Sequence, residues 1–149
     1  VNVACFVVTV RVMLAFCLSR LAPEGQGIAN VLILLGLALL ALTQFGVLPR
    51  SAGVHALAIG ATGGLIIGMM TRTALGHTAR PLKADRVDTV CYVLVLTAGV
   101  VRVFVPLVVP AWTIGAVLVS AALWSGGFAL YDVRYAPRLW RPRLDGRPG

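Results

Sequence analysis

Long apolar runs separated by short polar connections dominate the chain. Five runs, A to E, approach the roughly 17–25 mostly apolar residues that a membrane-spanning helix requires, and they cover about 1–18, 28–45, 54–73, 87–105 and 111–131. No run alternates apolar and polar positions with period two, so strands are not expected. The pattern predicts an all-α fold, a polytopic transmembrane helix bundle of about five membrane helices, with a basic tail over 132–149.

The composition supports a lipid environment for these runs. Hydrophobic residues make up 59% of the chain, charged residues 12%, and the mean hydropathy is +0.93. Soluble domains carry about a quarter charged residues, and a soluble chain this short would expose large apolar patches. The first residue is Val1, with no basic segment before run A, so we expect a C-terminal piece of a longer polypeptide. Its missing N-terminal helices are then expected partners.

The cations lie mostly on one side of the predicted bundle. Five crossings place ten of the 13 Lys and Arg residues on one side, while Arg50 and Arg102 fall on the other and Arg11 lies within run A. The ten are Arg20, Arg72, Arg80, Lys83, Arg86, Arg134, Arg138, Arg141, Arg143 and Arg147. By the positive-inside rule, that side and the C-terminus are cytoplasmic. The net charge of +8 then needs no nucleic acid, and anionic lipid is the natural partner of the tail.

Two polar residues lie at similar depth in the outer half of the predicted bundle. His55 begins run C on the outer side, and Arg102 lies about fifteen residues into run D, near its outer end. A neutral imidazole and a guanidinium at one level suit a haem, as axial ligand and as propionate partner. The alternative is an interfacial histidine beside an arginine whose side chain extends to the interface.

The cytoplasmic end of run C carries candidate ligands for copper. Met69, Met70 and His77 cluster there, and thioether plus imidazole suits copper. Alternatively, Gly76 is the residue that follows the end of the helix, and His77 beyond it caps the terminal carbonyls. Nearby, Arg72 and Asp88 lie within about a turn of the surface, where they can extend outwards or pair with each other.

Two further patterns concern packing. Ala56, Gly60, Gly64 and Gly68 repeat every four residues, which predicts a groove for a neighbouring helix or a flat cofactor. Aromatic residues near the predicted interfaces are expected to form a membrane belt. They are Trp112, Tyr131, Tyr135 and Trp140.

Two stretches resemble the signatures of a known family. His55-Ala56-Leu57 with Gly60, followed by the stretch 70–80, resembles the H-A-L-x-x-G and M-x-R-x-x-L-G-H-T-G-R motifs of the NnrS family. Residues 142–149 resemble its P-R-x-D-G-x-P-G ending. One departure is Ala79, where the family usually has Gly, and it affects the turn after His77.

The resemblance implies a polytopic bacterial inner-membrane protein that contains haem and copper. It also implies a link to nitric oxide metabolism, denitrification and resistance to nitrosative stress, with nitric oxide or a related small molecule as ligand. The matching signature positions are His55, Arg72, His77 and Arg80. The resemblance strengthens His55 and His77 as haem or copper ligands. By position along the chain, Met70 beside His77 is a further candidate metal ligand and Arg102 a candidate cofactor contact.

Three functions therefore stay open from the sequence. The first is a haem and copper membrane protein of the nitric oxide response, whose reaction, if any, the family resemblance does not specify. The second is a transporter-like protein for a small anion or a metal complex, in which Arg102 lines the path. The third is a non-catalytic assembly module whose basic tail binds anionic lipid or a partner.

Overall fold

The computed structural model describes residues 26–46 and 48–146, and helices dominate them. We number the helices α1 (Gln26–Gln44), α2 (Arg50–His55), α3 (Thr62–His77), α4 (Arg86–Val108) and α5 (Thr113–Leu139). A π-helix, Ala56–Ala61, joins α2 to α3 without a break, and a 3₁₀ turn, Pro110–Trp112, precedes α5. The described residues contain no strand. The predicted all-α class is confirmed.

Three of these helical segments are long and apolar enough to cross a bilayer. They are Arg50–His77 with 28 residues, Arg86–Val108 with 23 and Pro110–Leu139 with 30; within α1, the residues Ile33–Gln44 form a shorter apolar stretch. Most of each segment's surface is not covered by the rest of the described chain, as expected for helices that face lipid or further helices. The chain is therefore a membrane protein. Run A and Arg11 lie outside the described residues.

The helices extend beyond the predicted runs at proline positions. Pro106 was expected to close run D, yet α4 continues to Val108, and the N–H of Val109 still donates to the Val105 carbonyl at 2.8 Å. Proline is tolerated here because it removes the donor to a single carbonyl near the helix end. In the same way α5 passes Pro137 and ends at Leu139, so residues 132–139, which the sequence assigned to the tail, are helical.

Two buried clusters hold the helices together, one towards each end. Near α2 and the C-terminal part of α4, Leu39, Ala52, Ala56 and Val103 pack together; we call this the His55 end. Towards the other end, which carries most of the cations and is called the basic end, α3, α4 and α5 share a larger cluster. Its buried members are Ile67, Ala74, Leu75, Cys91, Val95, Tyr131 and Tyr135. Burial of these side chains fixes the relative position of the three spans.

The helices approach each other closely at glycine. A Cβ atom on Gly99 of α4 would lie 2.8 Å from the Cα of Gly60 in the π-helix, so the two backbones are in direct contact. Small residues permit this approach between membrane helices. Only part of the predicted groove of small residues packs against another helix. Ala56 and Gly60 are buried, whereas nothing lies within 4 Å of a Cβ on Gly68. The π-helix explains the loss, since its wider turns rotate the positions that follow.

Candidate cofactor-binding site at the His55 end

His55 and Arg102 are in direct contact between two membrane-spanning segments. The Nη2 group of Arg102 lies 3.1 Å from Nε2 of His55, and the pair is partly buried. His55 is five residues from the start of its segment and Arg102 six from the end of its own, which is roughly 8 and 9 Å along the two helices. The structure therefore brings together the two residues that the sequence placed at one depth.

The chemistry of the contact assigns the imidazole tautomer. A guanidinium has only donors, so Arg102 donates and Nε2 of His55 must accept. The imidazole proton then resides on Nδ1, and the His55 ring also hydrogen-bonds with the backbone of Ser51, one turn earlier. His55 is consequently a neutral imidazole whose two ring nitrogens are both engaged by this chain.

The local backbone around this pair is unusual. The π-helix begins at Ala56, directly after His55, and Thr62 Oγ1 donates to the carbonyl of Leu57 five residues earlier at 2.9 Å. In α4, Pro106 cannot donate to the carbonyl of Arg102, the residue four positions before it. π-Helices are rare and often mark functional sites. Nothing in the sequence indicates this π-helix, since its apolar composition is that of an ordinary membrane helix.

At the basic end, His77 is the last residue of α3 and its side chain is exposed. The capping interpretation required the helix to end before Gly76, but α3 includes both Gly76 and His77. The left-handed residue is Ala79, with φ of 55°. The N–H of Ala79 donates to the Gly76 carbonyl at 3.2 Å and that of Arg80 to the Leu75 carbonyl at 2.9 Å. This pair of bonds is a Schellman motif, which places the usual glycine position at 79, three residues later than expected.

The predicted soft-ligand cluster is dispersed in the structure. Met70 packs against the core of the basic end, whereas Met69 is 68% exposed. Met70 and His77 are seven residues apart, about 10.5 Å along the helix, so the helix does not bring them to one ion in this conformation. Within residues 26–46 and 48–146, no group of three or more His, Cys, Asp or Glu side chains could hold a metal.

A polar network that the sequence did not predict joins α4 to α5 at the basic end. Asp88 is 2% exposed; it accepts from the Tyr135 hydroxyl at 2.8 Å and from the Asp85 N–H at 2.9 Å. Its expected partner, Arg72, is instead exposed. Tyr135 and Tyr131 are buried and stacked and so are not belt residues, because the carboxylate of Asp88 supplies a buried partner for the Tyr135 hydroxyl. Trp112 and Trp140 are exposed.

Asp85 caps α4 and carries the ionic part of this network. Its Oδ1 accepts from the N–H groups of Val87 and Asp88, and Arg134 donates to its Oδ2 at 2.6 Å. Hydrogen bonds from the helix N–H groups and from Arg134 lower the pKa of Asp85 to about 2. The charged carboxylate is thus held at the helix N-terminus, where the helix dipole favours it.

Comparison with known proteins assigns the chain to a family. A family model described as NnrS protein matches residues 4–143. The chain belongs to the NnrS family. No curated protein and no solved structure matches it. The match covers all four signature residues, of which His55 lies at one end of a continuous helical segment and His77 at the other. Arg72 is exposed about one turn before the end of α3, and Arg80 donates one of the two bonds of the Schellman motif.

The NnrS resemblance implies haem and copper, and the described residues fit these groups unequally. His55 suits haem iron in type and position, because it is a neutral imidazole between two membrane-spanning segments. In the observed arrangement, however, Arg102 occupies the Nε2 lone pair, so iron and Arg102 exclude each other at that atom. For copper, His77 offers an exposed imidazole, but the Met70 side chain packs against the core and is not positioned to share an ion with it.

Proposed function

We propose that this NnrS-family membrane protein binds haem through His55 and acts in nitric oxide metabolism, denitrification or resistance to nitrosative stress. The observation that carries the proposal is the partly buried pair of His55 and Arg102 between two membrane-spanning segments. Ionisable groups inside membrane spans are costly, so a pair retained there points to function. Of the two described histidines, His55 is partly buried and His77 is exposed.

The residues of this chain supply binding and orientation at the site. His55 would hold the haem iron through its imidazole, and Arg102 would supply a cation for a propionate. A bound haem supplies an iron at which nitric oxide or a related small ligand can coordinate. We propose that His77 is one ligand of the copper ion. Because Met70 packs into the core, the remaining ligands would come from outside the described residues.

The charge distribution supports an orientation in the bacterial inner membrane with the C-terminus in the cytoplasm. Arg72, Arg80, Arg134 and Arg138 lie at the basic end, whereas Arg50 and Arg102 are at the His55 end. Cytoplasmic sides carry the excess of Lys and Arg. The His55 site would then face the periplasmic half of the bilayer, where small neutral molecules such as nitric oxide arrive through lipid.

The test is the haem content of protein purified from membranes in mild detergent. We expect His55→Ala to reduce Soret absorbance per protein strongly, and the matched variant His77→Ala to leave it unchanged, because His55 contacts Arg102 of a neighbouring span whereas His77 is exposed at the end of α3. Unchanged Soret absorbance in His55→Ala would contradict the proposal. Substrate flux through haem-free protein in liposomes would favour a transporter instead. A stress phenotype that survives loss of both histidines would favour an assembly module.

A further inference from the structure

Both nitrogens of the His55 ring already have partners in this structure. The Nε2 atom accepts from Arg102 at 3.1 Å, and the ring hydrogen-bonds with the Ser51 backbone on the same helix. A metal needs an imidazole lone pair, and neutral imidazole has only one, here on Nε2. A metal can therefore reach His55 only when Arg102 withdraws.

We infer that Arg102 is a latch on His55, which caps Nε2 and releases it to a metal complex that carries a carboxylate. The inference rests on the proposed function in so far as it takes His55 as the ligand. A guanidinium binds a carboxylate through two parallel, charge-assisted hydrogen bonds, which are stronger than a bond to a neutral nitrogen. A carboxylate on the incoming group, such as a haem propionate, would draw Arg102 away and expose Nε2 to the iron of the same molecule.

The surrounding packing confines the opening to a side-chain movement. The backbones that carry the two residues are fixed by direct contact between Gly60 and Gly99 and by burial of Ala56 and Val103. Close packing resists deformation, so separating the two helices would break these contacts, whereas a movement of the Arg102 side chain would not. The long Arg102 side chain can instead change rotamer, which is a fast motion.

The latch differs from a simple propionate contact in its effect on a ligand that lacks carboxylates. If Arg102 only pairs with a propionate, its removal cannot help such a ligand. If Arg102 blocks Nε2, its removal increases the competent fraction of the protein, and the apparent affinity increases by the same factor. Haemin and haemin dimethyl ester, whose propionates are blocked, are the two probes that separate these cases.

The experiment is a titration of haem-free protein in neutral-lipid nanodiscs with each probe, followed by the Soret shift. For wild type we expect haemin to bind about tenfold more tightly than the ester, on the scale of a hydrogen bond to a charged group. In Arg102→Leu the ester should bind about tenfold more tightly than in wild type, and the difference between the two probes should vanish. Arg50→Leu, which removes an exposed cation at the same end, should change neither affinity.

Each alternative result has a separate meaning. Equal affinity of the ester for wild type and for Arg102→Leu overturns the latch. If His55→Ala lowers ester affinity in that case, His55 remains the ligand and the proposed function stands. If His55→Ala leaves ester affinity unchanged, the proposed function and the latch fail together. Arg102→Met, whose side chain has no hydrogen-bond donor and a similar reach, replaces the Leu variant if that variant does not elute as folded protein, and the same outcomes apply.

Discussion

Two substitutions between alanine and glycine in the turn after His77 test which residue holds the left-handed position at the end of α3. Ala79 holds a left-handed backbone, with φ of 55°, whereas Gly76 lies inside α3. We therefore expect Ala79→Gly and Gly76→Ala both to stabilise the protein. If the helix ended before Gly76, with Gly76 as the left-handed residue after its end, Gly76→Ala would destabilise the protein and Ala79→Gly would have little effect.

The magnitudes follow from backbone energetics. A left-handed alanine costs roughly 1–2 kcal/mol, and the greater freedom of glycine in the unfolded chain offsets about 0.4–1 kcal/mol of that. The net gain for Ala79→Gly is then about 0.5–1 kcal/mol. For Gly76→Ala the nearest neighbouring atom would be Leu82 Cδ2 at 3.9 Å, an ordinary contact, so the helix-propensity gain of up to about 1 kcal/mol is available.

Hydrogen–deuterium exchange over residues 74–82, measured by mass spectrometry in detergent, tests the turn itself. The Ala79 and Arg80 amides donate the two Schellman bonds, and a gain of about 0.5–1 kcal/mol slows their exchange about two- to fivefold. The control is Ala129→Gly, in the interior of α5, which should lower the free energy of unfolding by about 1 kcal/mol. Faster exchange in Ala79→Gly would refute the left-handed assignment.

Three further predictions concern the packing and charge of the bundle. Tyr135→Phe removes the hydroxyl that donates to buried Asp88 and should lower the free energy of unfolding in mixed micelles by about 1–2 kcal/mol; unchanged stability would contradict the bond. Because the pKa of Asp85 is about 2 in the folded protein and 3.8 ordinarily, its stabilisation is complete above about pH 4 and is lost towards pH 2. Thermal unfolding of Asp85→Asn should therefore vary less across that window, and parallel pH profiles would exclude Asp85 as the cause. Gly99→Ala should destabilise by about 1–3 kcal/mol because its Cβ meets the backbone of the π-helix, whereas Gly126→Ala, with nothing within 4 Å, should not; similar losses in both would argue against the close contact.

The sequence alone determined the class of fold and the depth of the key residues. Apolar runs of spanning length admit only helices in a bilayer, because every backbone polar group must be satisfied within the segment. Counting residues along runs C and D was then enough to place His55 and Arg102 at one level, since the rise per residue is nearly constant.

The tertiary structure decided which direction each side chain faces and which partner it finds. The π-helix after His55 rotates the residues that follow, so the spacing of four in the sequence no longer marks one face. Asp88 pairs with Tyr135, 47 positions away, rather than with Arg72. Periodicity records the distance along a helix, but the direction around it depends on contacts with other helices, and those contacts exist only once the chain has packed.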